Sequence, residues 1–280
     1  MLTEAIIEPA SIALSDYHIR YISDMIYQRT GIILGEKKRH LIENRLLKVT
    51  HILGLDSTTE LCQELATNNP QLIALLVDAL VTNETFWFRD KRPFDVLQNV
   101  VFPDIARNKT VKKLQILSAP CSTGQEPYSL AMLILESGLF ADWRIKIVGI
   151  DISSKAVQQA RQGVYSQLEI NRGLPVKYLI TYFTQENDNW KIKPAVKRMV
   201  TFVKQPIHNA ALPSGSFDLI LCRNMLIYFD EQTRLQILST LSRSLESNGY
   251  LILGGAESAR NASSLLKPVR IQSTTFYAKA

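Results

Sequence analysis

The stretch Ile116–Met132, ILSAPCSTGQEPYSLAM, decides the fold. The apolar run Lys113–Ser118 meets a short polar turn, and an apolar segment at helical spacing follows. That order predicts a strand, a tight turn and a helix, the repeating unit of a sheet covered by helices. The turn departs from a phosphate-binding one. Dinucleotide turns use several glycines so that backbone amides approach a pyrophosphate, whereas this turn holds only Gly124. It also carries Glu126, a carboxylate that would repel a phosphate.

Outward from this unit the alternation continues. Arg144–Ile150 reads as a strand followed by a helix from Ser154 to about Arg161. Met199–Val203, Phe217–Cys222, Tyr250–Gly254 and Thr274–Ala278 supply further strands, and Asp230–Glu246 a helix before Gly249. The pattern predicts an α/β domain with a mostly parallel sheet and helices on both faces. The last two strands are too close for a crossover helix and are expected to pair antiparallel. Lys177–Val200 stands apart and reads as a small β insertion, with a hairpin about Glu186-Asn187-Asp188.

The first ~90 residues read as helices only. Ser15 caps a helix from Asp16, with Ile19, Ile22 and Ile26 on one stripe. A second runs from about Glu36 to His51, a third from about Thr59 to Ala66, and Asn69-Pro70 starts a fourth. The expected organisation is a helical domain and linker over 1–90, then a sheet domain over 91–280 with the insertion at 177–200.

Composition narrows the class. The 280 residues are 46% hydrophobic and 21% charged, ordinary globular values. No run approaches the roughly 20 apolar residues of a membrane span, and the acidic start MLTEAIIEPAS lacks the basic region of a secretory signal. Cys62, Cys121 and Cys222 are few and widely spaced, which fits reduced thiols in the cytoplasm. Net charge is +6, but the cations are dispersed, clustering only at Lys37-Lys38-Arg39 and Lys112-Lys113. Such a field suits an acidic protein partner equally well, and nucleic acid is not expected as the partner. His18, His40, His51 and His208 are too scattered for a metal site or a triad, so no metal is expected.

In doubly wound sheets the ligand lies beyond the carboxyl ends of the strands. The residues there are Ala119–Glu126, Asp151, Gln205–Ile207 and Arg223-Asn224. A ligand that lacks phosphates and carries an ammonium group would explain both the missing glycines and the acid. S-adenosylmethionine has both properties, with Glu126 facing its amino group and Asp151 accepting from its ribose. Two structural readings stand beside this one: Glu126 as a first-turn helix acid, and Asp151 as the cap of the helix near Ser154.

Two further strings, LVTNETFWFRD (Leu80–Asp90) and DLILCRNMLIYFD (Asp218–Asp230), flank CSTGQEPYS in register. With them the chain resembles the CheR family of chemotaxis receptor methyltransferases from about residue 16 to its end. The resemblance implies an all-α N-terminal domain and a Rossmann-like class I methyltransferase domain with an inserted β-subdomain. It implies transfer of a methyl group from S-adenosylmethionine to glutamates of methyl-accepting chemotaxis receptors, with S-adenosylhomocysteine as product. By motif match it carries cofactor contacts to Asn83, Thr85, Arg89, Glu126, Asp151, Pro206, Ile207, Arg223 and Asn224. Arg89 and Tyr228 match residues near the transferred methyl, and Lys38, Arg45 and Lys48 match a basic helix face that meets the receptor. The enzyme is expected to be a cytoplasmic monomer recruited to receptor arrays, with no membrane insertion. Its tight hairpin matches members that do not use a receptor C-terminal pentapeptide. Three positions depart from the family pattern: Trp87-Phe88 replaces a double phenylalanine, Gln125 a glutamate, and Pro206-Ile207 an Asn-Leu pair. Two other readings are an S-adenosylmethionine-dependent methyltransferase of RNA or a small molecule, and a cofactor-sensing receptor-binding protein without turnover.

Overall fold

The computed structural model describes residues 15–34 and 39–280. The chain divides into two compact units, one ending at Val81 and one beginning at Thr82. In the first, α1 (Asp16–Thr30), α2 (Arg39–Leu53), α3 (Thr58–Ala66) and α4 (Pro70–Leu80) form a helical cluster. The starts follow local chemistry. The Ser15 side chain accepts from His18 N–H, Ser57 from Glu60 N–H, and Asn69 caps α4 with Pro70 at its first position. Ile22, Ile26, Ile42, Leu46, Leu61, Leu65 and Leu76 are buried as its core.

The second unit begins with α5 (Arg92–Val96), a π-helical turn at Leu97–Val101 and α6 (Phe102–Asn108). Then come β1 (Lys113–Ser118), α7 (Gln125–Ser137), β2 (Arg144–Asp151) and α8 (Ser154–Gln162). An inserted region follows: β3 (Val164–Ser166), α9 (Gln167–Asn171), α10 (Val176–Tyr182), β4 (Phe183–Glu186), β5 (Asn189–Ile192) and α11 (Pro194–Lys197). The chain closes with β6 (Val200–Lys204), β7 (Phe217–Cys222), α12 (Glu231–Ser244), β8 (Leu245–Leu253), β9 (Leu266–Ile271) and β10 (Thr274–Lys279).

Seven strands form one sheet in the order β6-β2-β1-β7-β8-β10-β9. The pairs from β6 through β8 are parallel, and β10 runs antiparallel between β8 and β9. β7, FDLILC, is buried along its whole length, as a central parallel strand covered on both faces must be. The chain leaves β1 in one direction through β2 and β6 and returns on the other side through β7. The order therefore switches between β1 and β7, and the crevice beyond their carboxyl ends is the ligand position of such sheets.

The structure differs from the sequence reading in three places. β8 and β10 pair antiparallel as expected, but the edge belongs to β9, which the sequence hid behind Lys267, Pro268 and Arg270. An edge strand tolerates proline because it need not donate on its outer side. The insertion starts before residue 177, since Val164–Ser166 pairs with β5 in a three-stranded sheet ordered β3-β5-β4. Residues 82–90, grouped by sequence with the helices, count with the sheet unit. The reason is Trp87, which is 1% exposed and packs edge-on against Tyr165 and Phe183, with ring centroids 4.8 and 5.3 Å away. The tryptophan that replaces the first of the family's two phenylalanines is therefore core packing.

Candidate active site

The turn after β1 is laced to the neighbouring strand tips. Ala119 N–H donates to Leu221 O (2.8 Å) and Cys121 N–H to Ile150 O (2.9 Å), after a cis Ala119–Pro120 bond. Gly124 sits at φ 97°, and a Cβ there would lie 3.0 Å from Ala160 Cβ and 3.1 Å from the Tyr165 hydroxyl. The single glycine is thus required by backbone conformation and close packing of α8, not by a phosphate. Gly124→Ala is expected to cost about 1–3 kcal/mol of stability, seen as a lower midpoint in thermal denaturation. An unchanged midpoint would mean the turn relaxes freely.

Glu126 opens α7 and is buried at 8% exposure. One oxygen accepts from Ser118 Oγ (2.8 Å) and the other pairs with Arg223 Nη1 (2.8 Å). Arg223, at the end of β7, is itself buried, and its Nη2 reaches Asp90 Oδ2 (2.6 Å) and Arg89 O (2.9 Å). Its Nε is buried without a partner among the described residues. The Arg223 guanidinium therefore bridges two carboxylates while keeping one donor in reserve. A buried unsatisfied donor is costly, and it marks where a ligand acceptor would be favoured.

Asp151 ends β2 and accepts from the backbone N–H groups of Ser122 (2.8 Å) and Ser153 (2.9 Å). The α8 cap is Ser153, whose side chain accepts from Ala156 N–H, so Asp151 is not needed as that cap. Asn83 lies across the same corner. Its Nδ2 donates to Ser153 Oγ (3.2 Å) and its carbonyl accepts from Ser122 Oγ (2.7 Å). Gln205 N–H donates to Asp151 O (2.8 Å), which brings the Pro206-Ile207 segment to the tip of β2. Pro206 has no N–H to give and the Ile207 side chain is buried, so polar contacts there run through carbonyls and the Ile207 N–H.

Thr85 and Arg89 are half-buried on the segment after Asn83. Arg89 Nη1 donates to Glu84 O (3.1 Å), and its guanidinium lies 5.4 Å from the centre of the Phe86 ring. Asn224, at φ 59°, and Tyr228, in the short turn Leu226–Tyr228, are half-buried on the segment after β7. That segment is clasped by Glu257, which the sequence reading missed. Glu257 accepts from the backbone N–H groups of Asn224 (2.8 Å), Met225 (2.7 Å), Leu226 (2.6 Å) and Gly254 (2.7 Å). A Cβ on Gly254 would sit 2.6 Å from Glu257 Oε2 and 2.8 Å from Asn224 N. The available signal was Gly254-Gly255 after an apolar strand, with an acid just beyond.

Of the residues expected to face the receptor, Arg45 and Lys48 lie on α2. Lys48 is exposed, whereas Arg45 donates to Leu80 O (2.7 Å) and Val81 O (3.3 Å) and so caps the C-terminus of α4. Lys38 falls outside the described residues.

The site has no activated thiol. Burial, with the charges of Asp151 and Glu126 adding to it, pushes the Cys121 thiol well up, and burial with Glu257 and Glu126 does the same at Cys222. Among the described residues no group of His, Cys, Asp and Glu could hold a metal ion. What remains is a corner with two buried carboxylates, one bridging guanidinium and a spare donor. It fits a ligand with an ammonium group, an acceptor and sugar hydroxyls.

The model of the CheR methyltransferase all-alpha domain matches residues 18–81, and that of the CheR methyltransferase SAM binding domain matches residues 83–275. The chemotaxis protein methyltransferase of Vibrio parahaemolyticus is 37% identical over 274 residues, 95% of this chain and 98% of that protein. Chemotaxis protein methyltransferase 1 of Pseudomonas aeruginosa is 38% identical, across 82% of this chain and 86% of its own. Chemotaxis protein methyltransferase Cher2 of Pseudomonas putida is 40% identical, across 81% and 85%.

Proposed function

The chain belongs to the CheR methyltransferase family, and from that premise we propose that it methylates glutamate side chains of methyl-accepting chemotaxis receptors. The observation that carries the reading is Glu126, a buried carboxylate bonded to Ser118 and Arg223 at the turn after β1. It suits the ammonium of S-adenosylmethionine and would oppose a phosphate. Bound there, S-adenosylmethionine supplies a methyl group on a positively charged sulfur. Arg223 Nε, without a partner among the described residues, offers a buried donor for the carboxylate of the same methionine part. Asp151, oriented by two amides, accepts from ribose hydroxyls, and Asn83 braces that corner. Thr85, Pro206, Ile207 and Asn224 complete the cofactor contacts.

The chemistry asks little proton transfer of the protein. A receptor glutamate has an ordinary pKa of about 4.3 and is ionised at neutral pH, so no general base is required. The neutral thiols and the absence of a histidine from these contacts agree with that. The chain's task is alignment and exclusion of water, which can lower a barrier by roughly 7–11 kcal/mol. Arg89 holds the receptor carboxylate with paired donors, and Tyr228 lines the methyl path. Lys48 gives the receptor an exposed cation on α2, while Arg45 serves the helical unit. β4 and β5 have four residues each on a two-residue turn, which supports independence from a receptor-tail pentapeptide. No helix among the described residues is long and apolar enough to cross a membrane. We place the enzyme in the cytoplasm, at the receptor arrays.

The direct test is tritiated methyl transfer from S-adenosylmethionine to purified receptor cytoplasmic fragments, with RNA as control. Base-labile label on the receptor is expected, and label on RNA alone would overturn the proposal. Asp151→Ala is expected to weaken S-adenosylhomocysteine binding about 10–100-fold in calorimetry, the loss of charge-assisted hydrogen bonds. Equal affinity would remove Asp151 from the cofactor contacts.

A further inference from the structure

The segment that carries Arg89 has an unusual backbone. Phe88, Asp90 and Lys91 lie at φ 50°, 66° and 37°, three residues with side chains in the left-handed region within four positions. Such conformations are disfavoured for residues with a Cβ and persist only where surrounding contacts impose them. Lys91 N–H donates to Phe88 O (2.9 Å) and Phe88 N–H to Ser129 Oγ (3.2 Å). Lys91 O accepts from Phe94 N–H (2.9 Å) and Asp95 N–H (3.1 Å), Asp90 O from Arg92 N–H, and the Phe88 ring packs on Phe94 and Tyr178. The hold that reaches this turn from the cofactor side is the Arg223 guanidinium. Its Nη2 takes the Arg89 carbonyl and the Asp90 carboxylate together, while its Nη1 is anchored on Glu126.

The two ends of this bridge differ. The Arg223 side chain is 3% exposed and that of Glu126 10%, but the Asp90 side chain is 49% exposed. Asp90 can therefore be altered without opening the core. Without its carboxylate, Arg223 keeps Glu126 but grips the turn only through one neutral carbonyl. We propose that Asp90 is a positioning residue for methyl transfer, acting through Arg223 to hold the strained turn from which Arg89 springs. This rests on the catalytic role given to Arg89 under the proposed function.

The test compares Asp90→Ala, Asp90→Asn, Arg89→Ala and the double variant Arg89→Ala/Asp90→Ala in the full chain. Methyl transfer to purified receptor cytoplasmic fragments gives kcat and KM, and calorimetry gives the Kd of S-adenosylhomocysteine. Asp90→Ala is expected to lower kcat about tenfold or more, as misplacement of a catalytic group does, with Kd and KM each within about threefold of wild type. Asp90→Asn keeps an acceptor for Arg223 and is expected to recover roughly half of the lost kcat or more. The double variant is expected to be no slower than Arg89→Ala alone, because both changes act through one group. Unchanged kcat in Asp90→Ala overturns the inference, as does a parallel collapse of Kd and thermal midpoint, or losses that multiply in the double variant. If Arg89→Ala itself turns over at the wild-type rate, the catalytic reading of Arg89 falls and this inference with it. If Arg89→Ala is slow while Asp90→Ala is not, only the inference falls.

Discussion

Arg89→Ala is expected to reduce methyl-transfer turnover by about 100-fold or more at saturating receptor, a loss of roughly 3 kcal/mol of transition-state stabilisation. The expectation follows from the chemistry assigned to the site. The nucleophile arrives ionised, so the protein's contribution is to place a carboxylate in line with a methyl group, and a planar guanidinium with paired donors does this best. Among the described residues the Arg89 guanidinium donates only to the Glu84 carbonyl (3.1 Å) and lies over the Phe86 ring. Those contacts are weak enough to exchange for a carboxylate. Arg89→Lys keeps the charge without the fork and is expected to fall between the two, about tenfold below wild type. Initial rates with a receptor fragment decide the matter. Turnover unchanged in Arg89→Ala would place the residue outside the reaction.

The second large effect concerns Glu126, where binding and stability separate. Glu126→Gln keeps an acceptor and the shape of the side chain but removes the charge offered to an ammonium. S-adenosylhomocysteine affinity is expected to fall about 10–150-fold, the range of a charge-assisted hydrogen bond. Glu126→Ala goes further, because it strips Arg223 of its buried counter-charge. Breaking a buried pair from one side costs about 3–5 kcal/mol, which for a unit of this size lowers the thermal midpoint by roughly 6–20 °C. Replacing both partners, in Glu126→Leu with Arg223→Met, is expected to recover part of that midpoint without recovering binding. Calorimetry and thermal denaturation on the same preparations separate the two effects. Wild-type affinity in Glu126→Gln would mean that the carboxylate serves α7 and Arg223 alone.

Which features the sequence revealed follows from the range of the interactions behind them. β1, β2 and β7 are runs of apolar residues bounded by turns, so periodicity located them and with them the crevice. β9 carries Lys267, Pro268 and Arg270 because an edge strand faces water, and that composition reads as loop. β3 has three residues and exists through its pairing with β5, which no local pattern announces. The site shows the same division. Glu126 and Asp151 stand at the ends of readable elements, and Ser118 and Ser153 meet them across 8 and 2 positions. Asp90 and Glu257 act across 133 and 31 to 33 positions of chain, so their roles depend on the finished fold. Arg45 shows the converse. The resemblance put it with Lys48 on a basic helix face, but a long side chain can reach the carbonyls at a neighbouring helix end, where a cation is favoured.

The aromatic cluster under the insertion has a consequence for how this protein can diversify. Trp87, Tyr165 and Phe183 interlock at the root of the three-stranded sheet, while the β4–β5 tip projects beyond them with exposed Glu186, Asn187 and Asp188. Anchorage and display are thereby assigned to different residues. Mutations at the tip can accumulate and be selected for new attachments while the root keeps the scaffold and its chemistry constant.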